Sequence, residues 1–283
     1  LDLSLDYAFK RAVKVVLSGH LEHDLAYTLA DGFDPEQVAA YERRFLNGEQ
    51  LVRVSLGAVD VTVGRQIVAW GEGDALSVLD VVNPRDNREP GLADLDDLRL
   101  AVLATRVSWF TGAHRFELMG IHEGYFGEFA PPLADYSPFR ALVAGDPAAA
   151  ALIGDKRVRF AHSPDRWSAD AQMALARWVY RGPAIDLGLY AASVLDRLGV
   201  VRLPELGPAL LTADTLTLTL DHLRYTLVGT SGALTSGAWV FKWELASEID
   251  RAFNAGDPDA GPIPALRVDR GTTLQGVASV AYT

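Results

Sequence analysis

The residues with the most chemical potential lie between Trp70 and Arg99. That stretch holds Glu72, Asp74, Asp80, Asn83, Arg85, Asp86, Arg88, Glu89, Asp94, Asp96, Asp97 and Arg99. Carboxylates and guanidiniums at this density on one connection can line an aqueous path and select solutes by charge. The same stretch carries Val78, Leu79, Val81 and Val82, which a loop facing only water would not need. We expect it to fold inward and pack on a wall, because long connections in compact domains tend to be functional. An outward loop with hydrated charges is the plainer alternative. With three flanking residues, the expected lining or constriction set is Arg65, Glu72, Asp80, Asn83, Arg85, Asp86, Arg106 and Glu123.

Catalysis has weaker support. His122-Glu123 and Asp221-His222 are adjacent acid–base pairs, but neighbours on an extended chain point to opposite faces. Ser163 follows His162 without a Gly-x-Ser-x-Gly elbow, and no phosphate-binding loop occurs. His20, Glu22 and Asp24 share one face of an extended run and could hold a cation, although a hydrated wall is the commoner meaning of such a trio. No enzyme, cofactor or metal is expected. A net charge of -11 argues against nucleic acid as a partner.

The elements that must position these residues are strands. Apolar residues recur with a period of two, and no apolar run is long enough for a helical membrane span. The longest run is expected from Leu17 to Leu29, with Leu17, Leu21 and Leu25 opposite Ser18, His20, Glu22 and Asp24. Further clear strands are Ile185 to Tyr190, the Leu216/Leu218/Leu220 run and the Trp239/Phe241/Trp243/Leu245 run. Weaker runs bring the expectation to about ten or eleven strands.

Short turns near Gly57, Gly112, Gly182 and Ser231 to Gly237 alternate with long links at 31–47, 71–98, 125–167, 196–214 and 249–271. Helical character is expected within Pro35 to Arg44 and within Pro147 to Ile153. Short turns on one side and long loops on the other are the pattern of an up-and-down barrel in a membrane. An apolar fraction of 49% with near-neutral mean hydropathy suits such a wall, whose lipid-facing and inward residues average out. Trp70, Trp109, Phe110, Tyr125, Phe126, Trp178, Tyr180, Trp239, Phe241 and Trp243 are then expected in interfacial girdles. Absence of cysteine suits an oxidising compartment. Arg65 falls in phase with the outward Val59, Val61 and Val63, so a bulge at Gly64 is expected to turn it inward, towards Glu72 or Glu123.

The succession Val63-Gly64-Arg65-Gln66-Ile67-Val68-Ala69-Trp70-Gly71-Glu72, then Val81-Val82-Asn83-Pro84-Arg85-Asp86, Arg88-Glu89-Pro90-Gly91 and Leu98-Arg99-Leu100, resembles a Gram-negative porin-like family known as a domain of unknown function (DUF). Asp221-His222-Leu223-Arg224-Tyr225, before a turn and an aromatic-rich strand, is similar to it as well. The resemblance implies an outer-membrane β-barrel that moves a hydrophobic or lipid-like molecule, in association with inner-membrane exporters of the resistance-nodulation-division type. It also implies a longer chain. The start at Leu1-Asp2-Leu3 and the end at Ala281-Tyr282-Thr283, without a terminal Phe or Trp, suit a chain that has lost its leader or is part of a larger barrel.

The expected fold is therefore all-β: one antiparallel, up-and-down transmembrane β-barrel domain over residues 1–283, complete or partial, with the charged loop 71–98 in its lumen. The expected function is an outer-membrane channel or export protein for a small or lipid-like solute, surrounded by outer-membrane lipid and lipopolysaccharide. A soluble, β-rich periplasmic binding protein is the alternative, and a membrane-embedded hydrolase the third reading.

Overall fold

The computed structural model describes residues 1–9, 12–33, 35–73, 77–89, 91, 97–132, 134–137, 140, 144–145, 156–202, 214–257 and 265–282. Its strands are β1 (Asp2–Phe9), β2 (Val13–His23), β3 (Arg43–Leu56), β4 (Val59–Gln66), β5 (Asp86–Asn87), β6 (Val102–Thr111), β7 (His114–Ile121), β8 (Glu128–Phe129), β9 (Arg157–Ser163), β10 (Met173–Arg181), β11 (Ile185–Leu195), β12 (Val200–Arg202), β13 (Thr215–Asp221), β14 (Arg224–Ser236), β15 (Trp239–Asp257) and β16 (Ala265–Tyr282). Two short helices, α1 (Ala26–Leu29) and α2 (Pro35–Tyr41), lie between β2 and β3.

Eleven strands form one antiparallel sheet in the order β1-β2-β3-β4-β6-β7-β10-β11-β14-β15-β16. Each wall strand pairs with the wall strand before it in sequence, which is the up-and-down arrangement. Tight turns at one end contrast with long connections at the other. Gly57, Gly112 and Gly237 supply the positive φ that the tight turns need. β1 and β16 are the two edges of the sheet and do not pair with each other.

The two faces of this sheet differ in an unusual direction. On β15, Trp239, Phe241, Leu245 and Ile249 are exposed, whereas Glu244, Ala246 and Glu248 are buried. On β7, Phe116 and Leu118 are exposed while Glu117, Met119 and Ile121 are buried. Val63, Val107, Trp109, Leu189 and Val228 continue the exposed apolar face across the sheet. The inner face carries the charges together with a compact apolar cluster. That cluster joins Val68, Trp70, Leu79 and Val82 of the β4–β6 connection to Met119, Leu175, Tyr190, Ala192, Leu227 and Ala246 of the wall.

Several expectations are corrected. The run from Leu17 stops at His23, because the Asp24 Oδ1 accepts the Ala26 N–H at 2.9 Å and starts α1 instead. The segment 249–271 is mostly not a loop: β15 runs to Asp257 and β16 begins at Ala265. The Leu216/Leu218/Leu220 run is a strand but not part of the wall. β13 pairs parallel with β9 and antiparallel with β12 in a separate three-stranded sheet, and its leucines are buried. Trp70 and Phe126 are buried and Tyr125 packs against the inner cluster, so none of the three belongs to a girdle. Trp109, Phe110, Trp178, Tyr180, Trp239 and Phe241 do gather near the short-turn end of the sheet, and Trp239 meets Tyr282 of β16 edge-on at 5.0 Å. The helix expected at 35–44 forms as α2. The one expected at 147–153 lies outside the described residues.

Candidate functional site: a loop folded onto a charged wall

The connection from Gln66 to Val102 is a deep excursion across the inner face. Its neck is closed by Asn83, whose Nδ2 donates to Gln66 O at 3.0 Å and to Leu100 O at 2.8 Å. The Asn83 Oδ1 accepts from the Val68 N–H at 2.7 Å. One buried side-chain amide thus replaces the ladder bonds the chain loses on leaving β4. Past the neck, Trp70 packs against Tyr190 at 5.4 Å, and Glu72 reaches Arg181, at the short-turn end of β10, at 2.7 Å. The loop therefore spans the wall from its long-loop end to its short-turn end.

Its tip is held by Glu244 of β15. The carboxylate accepts the backbone N–H groups of Glu72 at 2.5 Å, Gly73 at 2.6 Å and Val78 at 3.0 Å, and the Ser77 hydroxyl at 2.8 Å. A buried carboxylate is tolerable only when donors surround it, and four do here. Gly71 adopts φ +100° beside it, and a Cβ there would lie 2.3 Å from Glu244 Oε1. Gly229 of β14 similarly leaves room for Leu79, whose Cδ2 would otherwise be 2.4 Å from a Cβ. The inward fold of the loop is thus written into both partners. Alternation placed Glu244 on a polar face, but no local signal shows that its donors come from a segment 172 residues earlier.

The other residues chosen from sequence fall into separate clusters and not one ring. Arg65 meets Glu123 at 2.8 Å and Ala101 O at 3.0 Å, at the long-loop end. Arg166 joins the same carboxylate at 2.5 Å, and the Leu103 N–H donates to it at 2.8 Å. Burial by itself would raise the pKa of Glu123, yet these donors hold the carboxyl below the usual range. The expected bulge at Gly64 is absent: the register is continuous on both sides, and Gly64 instead takes φ +127° against Gln50 and Leu51. Asp80 bridges Arg85 at 3.2 Å and Arg99 at 2.9 Å. Asp86 takes Arg88 through both oxygens, at 2.9 and 2.6 Å, and Arg88 also donates to Ala40 O. Asp74, Asp94 and Asp96 lie outside the described residues.

Arg106 lies on the inner wall, where Glu117 of β7 is shared by several cations. Arg177 Nε stands 2.9 Å from Glu117, Arg115 forms a shorter pair with it, the Ser108 hydroxyl donates at 3.1 Å, and Arg106 approaches only to 4.0 Å. Arg177 also lies 5.8 Å from the Trp70 ring, so this cluster borders the inward loop.

Above the wall, His222 stacks on Phe126 at 3.5 Å. Its Nδ1–H donates to Asp196 O at 2.7 Å, since a carbonyl can only accept, so its Nε2 accepts from His162 Nδ1 at 2.8 Å. Burial drives the His222 pKa down to about 4, and burial lowers that of His162 too. A cleft of about 770 Å³ near β1 and β2 is lined by Asp2, His20, Glu22, Asp24, Arg44 and Glu89 among others. Of His20, Glu22 and Asp24, His20 bonds to Asp2 at 2.6 Å and stands 3.8 Å from Glu22, Glu22 bonds to Arg44 at 2.6 Å, and no metal-ligating cluster occurs among the described residues.

Residues 45–281, from within β3 to the end of β16, match one family over most of the chain. The chain belongs to the DUF1302 family, described as protein of unknown function. In DUF1302 terms, the matched region includes the inward loop, Glu244 and the Glu117 cluster, while β1 and β2 precede it. No curated protein matches the chain. Two solved structures of mutants of the Rh. blastica porin align with 99% of this DUF1302 chain and 88% of their own, at 9% identity and a TM-score of 0.31. A likeness that low carries no argument.

Proposed function

We propose that this chain forms a transmembrane β-barrel wall in the outer membrane of a Gram-negative bacterium and passes a small or lipid-like solute along its inner face. The observation that carries the reading is the reversed burial of the eleven-stranded sheet, apolar side chains outward and charges inward. In water, so broad an apolar exterior would be an aggregation surface, since soluble monomers seldom expose apolar patches beyond a few hundred Å². In a bilayer it contacts acyl chains and outer-membrane lipid, including lipopolysaccharide, at no such cost. A lipid environment also requires every backbone group to be paired, so the edges at β1 and β16 are closed in the membrane. The same exterior disfavours the soluble periplasmic binding reading.

In this account the 67–101 connection narrows the path, and Arg65, Glu72, Asp80, Asn83, Arg85, Asp86, Arg106 and Glu123 shape it. An inner-membrane exporter of the resistance-nodulation-division type is the partner proposed on family resemblance. No catalytic step is assigned, and labelling by serine- or histidine-reactive probes would contradict that part. The test is migration on a detergent gel with and without boiling. A folded membrane barrel resists detergent when unheated and shifts on boiling. Solubility without detergent and no shift would overturn the proposal.

A further inference from the structure

We infer that the inner wall around Arg106 is a binding site for an oxyanion, a carboxylate or phosphate group carried by the solute that passes. This rests on the transport reading above and adds a substrate class to it. The site is built on five neighbouring strands. Register places Arg53, Thr62 and Arg106 in one row across β3, β4 and β6, and Ser108, Glu117 and Arg177 in the next row across β6, β7 and β10. These rows face the side that the loop covers, because Arg177 donates to Ala69 O at 3.4 Å and lies under Trp70.

The charges do not balance. Four arginines, Arg53, Arg106, Arg115 and Arg177, gather around Glu117, and the other acid of these rows, Asp60, lies opposite Ser108. Arg177, Arg115 and the Ser108 hydroxyl all bond to Glu117 Oε2, while Oε1 has only the Arg177 Nε beside it, at 2.9 Å and without a hydrogen bond, and Arg106 stands at 4.0 Å. The Arg106 side chain is only 12% exposed, and its Nε finds no acceptor. The Arg115 Nε is likewise buried without an acceptor. Removing a guanidinium from water without a matching anion is costly, and a planar donor fork is shaped for carboxylate or phosphate oxygens. Arg115 keeps a side chain 33% exposed, so the patch is open to an incoming ligand. An excess of arginine on a narrow path selects anions.

The experiment uses the full chain refolded in detergent, with inorganic phosphate as the probe, and a parallel measurement in planar bilayers. Wild-type protein should bind phosphate saturably. Arg106→Gln should weaken binding at least tenfold, whereas Arg267→Gln, on the exposed β16 edge, should not. Equal binding by all three, or none by wild type, overturns the site. In bilayers, wild type should prefer chloride over potassium and Arg106→Gln should reduce that preference several-fold. A cation-selective or Arg106-independent channel overturns it too. Loss of all conduction with phosphate binding intact would sink the transport reading and leave the anion site standing. If Arg106→Gln loses its heat-dependent gel shift, Arg115→Gln supplies the same readout from a more exposed position.

Discussion

β13 and β15 have the same rhythm of residues and opposite surroundings. In β13, Leu216, Leu218 and Leu220 alternate with threonines and are between 2% and 7% exposed. In β15, Trp239, Phe241 and Leu245 alternate with Val240, Lys242 and Glu244 and are between 40% and 49% exposed. The difference arises on the polar side. Around β15, Glu244 collects four loop donors and Glu248 collects Arg251, Thr273 and Gln275, so the polar face has an interior to serve. Around β13, Thr217 accepts from Arg159 at 3.1 Å, and the apolar face supplies the interior. A period of two shows that two faces differ, but not which one meets protein.

The strongest way to break this contrast is to put one arginine in each strand. Leu245→Arg places a charge on the outer face, some 20 Å along β15 from its tight turn. It should cost about 2–4 kcal/mol of membrane stability and sharply reduce the heat-shifting fraction on detergent gels. Leu218→Arg should leave that fraction intact while exposing the β9 and β13 amides to hydrogen exchange. Equal loss of the gel shift in both variants would erase the distinction.

A second effect belongs to the small sheet alone. His222 is neutral when folded, with its pKa lowered by burial to about 4. The unfolded state therefore binds more protons between that value and the ordinary histidine pKa. Stability is full above about pH 6.5 and falls by about 3 kcal/mol as the pH drops to about 4. Hydrogen exchange of 157–163 and 215–221 should accelerate over that window while β14 and β15 hold. His222→Gln should flatten the profile.

Two smaller effects sharpen the wall side. Glu244→Gln removes the charge from four hydrogen bonds and should loosen the loop tip by about 2 kcal/mol, seen as larger and noisier single-channel conductance. Unchanged conductance would mean that the loop is not held there. Arg65→Gln leaves Glu123 with Arg166 and Leu103, so a loss of about 1 kcal/mol is expected, confined to the long-loop end. Thermal unfolding followed by gel mobility measures it.

Much of the wall was legible beforehand, because tight glycine turns and two-residue alternation are local properties. The Arg65–Glu123 pair was one of two partners expected from a bulge at Gly64; it forms without the bulge, between elements on either side of β6. Alternation misled at two points. Asp24 accepts the Ala26 N–H where a helical turn begins, in the middle of an apparently unbroken run. Asp250, at φ +62°, sits in a register shift between Glu248 and Arg251, and so hid the second half of β15. The Glu244 anchor and the shared Glu117 were out of reach, since each depends on which distant strands become neighbours.

The central claim is that the apolar face of the sheet meets lipid. The chain has no cysteine, so single cysteines can be placed one by one from 241 to 248 and spin-labelled in reconstituted vesicles. Labels at 241, 243, 245 and 247 should be relaxed by oxygen dissolved in the bilayer, and those at 242, 244, 246 and 248 should be protected. The opposite phase, or no lipid-accessible position at all, would contradict the account.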